Sequence, residues 1–238
     1  RVSFLVLEAM HRLRIPINMA VRVHDDLDPN LLRQAVVNLF TDGTGCSYAC
    51  SHGLDEGFVR NGYPLPLARL RAKVGCNWTA LPGVEYCLQD VTRQCLVAPF
   101  LCAFHDVMTR QRVDGEAPDM DALWDRFRSH LEISVDAVKR GKDWHMERHS
   151  RLTSEIVLNL FMHGPVERGL DVAEGGVDIY NLTVDGIGLA TVADSFAAIE
   201  QRVQSEQRLT WQELADLLAG DWEEAEDVRL MMKSIPRF

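Results

Sequence analysis

The feature that most constrains this chain lies near its start, where INMAVRVH, DPNLLRQAVVNLFTDG and CSYACS follow one another between residues 17 and 51. The middle stretch is written as a helix. Asp28 offers an N-cap, Pro29 stands at the first helical position, and apolar pairs recur at 31/32, 35/36 and 39/40 before Gly43 ends the pattern. The flanking stretches are short, rich in β-formers and bounded by turn residues, so both read as strands. A strand, a helix and a strand in succession point to an α/β architecture, in which helices cover short apolar strands.

The rest of the chain continues this alternation. VSFLVLEAMHRL reads as an amphipathic helix, and a further helix is expected over GLDEGFVRNG. Residues 66–75 are ambiguous, and VGCNWTALPGVEYCLQD (74–90) reads as strand, turn and helix start. QDVTRQCLVAPFLCAFHDVMTR is long and apolar enough for a buried helix perturbed at Pro99, and residues 113–119 form a polar surface turn. Helical periodicity predicts helices over about 120–141 and 150–163. Four glycines then break the period in EGGVDIYNLTVDGIGL, which reads as strand and loop. ATVADSFAAIEQRV is helical, and TWQELADLLAG carries a capping box, Thr210 with Glu213, and a terminal Gly220. The sequence has no internal repeat and no low-complexity segment.

Composition narrows the function classes. With 47% hydrophobic and 25% charged residues in 238, the chain has enough apolar side chains for a sizeable core. A formal charge of −10 with scattered basic residues argues against a nucleic-acid surface, whose affinity comes from neutralising phosphates. No apolar run approaches the roughly 18 residues of a membrane span. Six cysteines in a chain of this length do not make a disulfide framework, and the N-terminus lacks the layout of a signal peptide. The chain begins inside an amphipathic pattern and ends without a polar tail, so it is expected to be an interior segment of a longer protein from a reducing compartment.

Several residue groups invite a chemical reading. Cys46, Cys50 and His52 supply three soft ligands, but a closed zinc site needs four, so packing of strand cysteines is the better reading and no metal is expected. DGIGLAT has two of the three glycines of a dinucleotide fingerprint, and these are expected to serve backbone angles or close packing. His145 and His149 stand four apart on what reads as a solvated helical face. Cys76 differs from these: VGC suggests a strand ending in a turn, and LPG suggests the backbone reversing soon after. Strand ends and the loops beyond them are where α/β folds place reactive groups. A packed thiol and a reactive one both fit that placement.

Two stretches resemble a known family. In residues 175–200, Gly175, Gly176, Tyr180, Asn181, Gly186, Gly188, Ala193, Asp194, Ser195, Ala198 and Ile199 match a segment of the glycyl radical enzymes. VGCNWTALPGVEYCLQD resembles the cysteine loop of the same pyruvate formate-lyase-like proteins. FLVLEAMHRL near the start and SIPRF at the end fit the same family, so the resemblance covers nearly the whole chain. It implies an α/β fold that is part of a ten-stranded α/β barrel with long flanking helices. Residues 1–238 would be the interior of one barrel domain, truncated at both ends, with the cysteine loop at about 74–90.

The resemblance also implies chemistry. Cys76 would become a thiyl radical by giving its hydrogen to a glycyl radical on a loop that this sequence does not contain. It would then abstract hydrogen from a small organic substrate, and a C–C, C–O, C–N or C–S bond would break. An activating enzyme using S-adenosylmethionine and an iron–sulfur cluster would install the glycyl radical, and no cofactor would be bound directly. A homodimer in an anaerobic cytoplasm is implied, with no nucleic-acid or membrane partner. One departure bears on the reaction. Many members carry Cys-x-Glu, whose carboxylate moves a proton, and here the third position is Trp78. That removes the usual base and argues against dehydration, and a narrowed or aromatic-lined pocket at Trp78 favours substrates other than small diols. Glu85 would replace the carboxylate if the Pro82–Gly83 turn folds back, and Asp90 would hold substrate hydroxyls. Asp90 as a helix N-terminal carboxylate is the alternative for that position. An aryl- or alkyl-acid decarboxylase, a radical addition enzyme, or a catalytically silent fragment acting as a binding subunit are the other functions the resemblance allows.

Overall fold

The computed structural model describes every residue except 15, 16, 18, 44, 45, 75–77, 89–91, 237 and 238. In chain order its elements are α1 (Val2–Leu13), β1 (Ala20–Val23), α2 (Pro29–Asp42), β2 (Ser47–Cys50), α3 (Ser51–Arg60), α4 (Leu65–Arg69), β3 (Ala72–Val74), β4 (Trp78–Ala80), β5 (Glu85–Leu88) and β6 (Arg93–Cys95). There follow α5 (Val97–Asp114), α6 (Met120–Met146), α7 (His149–Leu152), α8 (Ile156–Asn159), α9 (Pro165–Arg168), β7 (Ile179–Leu182), β8 (Asp185–Ile187), α10 (Leu189–Ala198), α11 (Trp211–Ala219) and α12 (Glu226–Lys233). The fold is mixed α/β. Its described strands pair two by two, β1 with β2, β3 with β4, β5 with β7 and β6 with β8, and no sheet among them closes into a barrel. The chain divides into two compact units, Arg1–Gln89 with His149–Leu182, and Asp90–Arg148 with Thr183–Phe238.

The first unit opens with the strand–helix–strand read from sequence. β1 and β2 run parallel, with Val21 opposite Tyr48 and Val23 opposite Cys50. The Asp28 carboxylate accepts from Asn30 N at 2.9 Å, and Gly43 ends α2 at φ +66°, a conformation that costs glycine little. Leu7 and Met10 of α1 pack with Val21, Ala35 and Cys46 into one small core. Buried Asn38 ties the two helices together by donating to Leu7 O at 2.8 Å. Farther on, buried Arg71 pairs with Asp55 and donates to the carbonyls of Ala68 and Ser51. The Arg71 guanidinium holds the Asp55 carboxyl below its ordinary range.

Two expectations fail in this unit, both through contacts distant in sequence. After the Pro82–Gly83 turn the chain continues as strand β5, not as a helix, because residues 85–88 pair in parallel with 179–182. Over 150–163, short α7 and α8 replace one long helix. The Asp171 carboxylate draws in the chain between them, accepting from Ser154 Oγ at 2.8 Å, Glu155 N at 2.9 Å and Asn159 Nδ2 at 3.0 Å. Its other oxygen accepts from Ala173 N at 2.9 Å. Burial works against its charge, but these hydrogen bonds win and hold the carboxyl below the usual carboxylate range. Replacing it by alanine strands several donors, so Asp171→Ala is expected to cost about 3 kcal/mol of stability, read by urea unfolding. The folded carboxyl is the stronger acid. Its contribution is therefore present above the ordinary carboxylate pKa and fades as the pH falls through the depressed value, and an Asp171→Ala protein should lose that part of the acid sensitivity.

The second unit is built on α5 and α6, of 18 and 27 residues. Pro99 lies in the first turn of α5, where its missing N–H has no intrahelical partner to lose, so the helix is not perturbed there. The preceding residues form β6, parallel to β8. Phe100, Phe127 and Phe196 meet edge to face, and Phe104 stacks on Trp211 with ring centroids 6.2 Å apart. This aromatic group joins Leu123, Val192, Ile199, Leu214 and Met232 in the larger core. Gly188, from DGIGLAT, answers both expectations of that motif: its φ is +82°, and a Cβ there would lie 2.6 Å from Val97 Cγ2. The α10 helix continues as a π-helical stretch over Ile199–Ser205. Thr210 and Glu213 form the expected capping box at the start of α11.

Candidate active site

The cysteine segment is a chain of short strands. β3 and β4 pair antiparallel, with Val74 opposite Trp78 and Ala72 opposite Ala80. Residues 75–77 join them, so Cys76 lies outside the described residues, as does Asp90 beyond β5. Trp78 is half-buried in β4. Next to it, Thr79 O accepts from Asn181 Nδ2 of β7 at 3.1 Å, so the two stretches that carry the family resemblance meet in space.

Residues 81–84 turn the chain into β5. Val84 N and Glu85 N both donate to Leu81 O, and Gly83 takes φ +80°. Gly83 O accepts from His163 N at 2.8 Å, which fixes the outer side of the turn. Glu85, only 7% exposed, reaches back across the turn, and its Oε2 accepts from Leu81 N at 2.9 Å. Its Oε1 is buried and has no hydrogen-bond partner among the described residues. A carboxylate held by one oxygen and unsatisfied at the other is costly to bury.

Tyr86, the next residue, faces the opposite side of the strand, as strand geometry requires. Its hydroxyl lies 2.9 Å from His149 Nε2 and donates to Glu155 Oε1 at 3.3 Å. Tyr180 stands edge-on to its ring, and the Tyr180 hydroxyl donates to Val172 O at 2.7 Å. Burial first, then the Glu155 carboxylate, pushes the Tyr86 phenol up, so it acts here as a hydrogen-bonding anchor. Sequence reading misses this cluster, because Tyr86 and its partners are more than 60 residues apart and carry no local signature. His149 is also not on a solvated face: it begins α7, its side chain is 12% exposed, and it engages Tyr86.

The other cysteines divide. Cys46 is buried, with its thiol pushed up by burial, whereas Cys50, Cys95 and Cys102 are exposed and Cys87 is half-buried. Cys50 is therefore not the packed strand cysteine expected. His52 turns to Asp25 at 3.0 Å. Among the described residues no group of three or more His, Cys, Asp or Glu is placed to hold a metal ion, and no helix is long and apolar enough to cross a membrane.

The family model described as Pyruvate formate lyase-like matches residues 1–238. The chain belongs to the pyruvate formate lyase-like family. Within this family it is 26% identical over 179 residues to the (2S)-3-sulfopropanediol dehydratase of Klebsiella oxytoca, covering 70% of this chain and 21% of that protein. The glycerol-bound B12-independent glycerol dehydratase of Clostridium butyricum superposes with TM-score 0.82 at 20% identity, over 100% of this chain and 31% of that one. A glycyl radical enzyme of Archaeoglobus fulgidus gives 0.77 at 18% identity, over 99% and 31%. At these identities the superpositions establish a shared fold. The chain spans between a fifth and a third of the length of these relatives.

Proposed function

We propose that this chain is the cysteine-bearing interior of a barrel domain in a glycyl radical lyase, and that the complete protein removes water from a small hydroxylated substrate. What supports the proposal is the family match over residues 1–238, together with a buried carboxylate at Glu85, nine residues after Cys76 in the sequence, one of whose oxygens has no hydrogen-bond partner among the described residues. A glycyl radical elsewhere in the complete protein supplies hydrogen-atom abstraction. Cys76 gives up its hydrogen and takes one from a substrate carbon. Asp90 holds the hydroxyls and Trp78 limits the width of the pocket. Glu85 accepts the proton of the hydroxyl on the radical carbon and passes it to the neighbouring hydroxyl, whose C–O bond breaks to release water. The product radical takes its hydrogen back from the Cys76 thiol. The two dehydratases among the relatives support C–O cleavage over the other bonds. A radical-installing enzyme that uses S-adenosylmethionine, a homodimeric assembly and an anaerobic cytoplasmic setting belong to the same reading.

Screening the complete, activated protein against vicinal diols, their sulfonated analogues and arylacetic acids tests it. Release of an aldehyde or ketone from a diol supports dehydration, whereas carbon dioxide from an arylacetate would replace it with decarboxylation. Asp90 has its own test. If it holds substrate, Asp90→Asn lowers turnover more than tenfold, in line with the loss of a charge-assisted hydrogen bond worth roughly 1.5–3 kcal/mol. If it only caps a helix, kinetics stay unchanged, because Asn caps about as well as Asp. Steady-state kinetics beside thermal melting separate the two.

A further inference from the structure

Lys142, on α6, is only 7% exposed, and its buried Nζ has no hydrogen-bond partner among the described residues. It lines a cavity of about 290 Å³ with Thr92, Val138, Gly141 and His145. Residues 138, 141, 142 and 145 share one face of the helix, since they are spaced by three and four. Ser134, one turn earlier on that face, accepts from buried Gln94 of β6 at 2.6 Å, so the face is held against the strand. At Gly141, on the cavity wall, an added Cβ would meet no atom within 4 Å, so a larger side chain has room there.

An ammonium group buried without a partner is expensive, and proteins normally pair it with an anion or leave it neutral. Burial pushes the Lys142 amine below its ordinary value, because the charged form is penalised there. An anion would offset that penalty, and the flexible four-carbon stem lets the amine swing into the cavity that the side chain already lines. The Thr92 hydroxyl adds a neutral donor at the wall, and His145 adds an imidazole.

We propose that this cavity binds a small oxyanion, a phosphate or the sulfonate or carboxylate head of a small organic acid, with Lys142 as its counter-ion. The site lies in the second unit and does not depend on the dehydration reading. Calorimetric titration of the complete protein with inorganic phosphate, and separately with propane-1-sulfonate, tests it at constant ionic strength so that general screening cancels. Saturable binding of either anion is expected, weakened at least tenfold in Lys142→Met and within a few-fold of wild type in Lys142→Arg. Tighter binding of the sulfonate identifies an organic head group, and tighter binding of phosphate identifies a free inorganic anion. Gly141→Leu provides a control that keeps the lysine. It fills the cavity, favours the helix by intrinsic propensity, and should abolish binding while the protein stays folded. No saturable binding of either anion, or equal binding in Lys142→Met or Gly141→Leu, would overturn the proposal.

Discussion

Cys76→Ser in the complete, activated protein is expected to abolish turnover while leaving the fold and the glycyl radical signal intact. An O–H bond is stronger than an S–H bond, so serine cannot take on the spin that the cysteine would carry. Electron paramagnetic resonance reads the retained radical, product formation reads the lost step, and thermal melting reads the fold. The same change at Cys50, Cys95 or Cys102, all exposed, should leave activity near wild type. At Cys46 it should cost some stability, because that thiol packs in the core with Leu7 and Val21. Activity near wild type in Cys76→Ser would remove the thiyl assignment and, with it, the proposed chemistry.

Glu85→Gln carries the second large effect. The glutamine side-chain oxygen still accepts from Leu81 N, so the turn into β5 should survive, with a melting temperature close to wild type. What is lost is the ability to take a proton, and general acid–base catalysis typically contributes on the order of 10²–10⁴-fold. Turnover is therefore expected to fall at least a hundredfold. Unchanged kinetics would show that Glu85 only closes its turn, and the proton acceptor would have to be sought elsewhere. Glu85→Ala separates the two roles from the other side, since it also breaks the bond to Leu81 N and should lower stability by about 1–3 kcal/mol.

The chain's local signals were legible wherever they were self-contained. Asp28, Pro29 and Gly43 bound α2 as read, and Thr210 with Glu213 starts α11, because caps satisfy backbone groups within a few residues of themselves. The strands flanking α2 also stand where β-propensity put them, and their parallel pairing follows from the helix between them. The family was legible for a different reason: its glycines and its cysteine segment recur as short words in the sequence. Gly176 shows why one of those words admits nothing larger, since a Cβ there would lie 2.6 Å from Asp171 O.

Tertiary structure decided the rest, and each case involves a partner distant in sequence. Residues 85–88 become a strand because 179–182 lie beside them, although their local pattern fits a helix start. The helix expected over 150–163 is broken by the carboxylate of Asp171. No spacing in the sequence joins Tyr86 to His149 and Glu155, or leaves one oxygen of Glu85 and the amine of Lys142 buried without partners among the described residues. Short-range hydrogen bonds and periodicity are written into neighbouring residues, and so the sequence by itself determined the caps, most helices and the family. Burial and the pairing of distant polar groups depend on the whole folded chain, and only the tertiary structure could reveal which carboxylate and which amine stand unsatisfied.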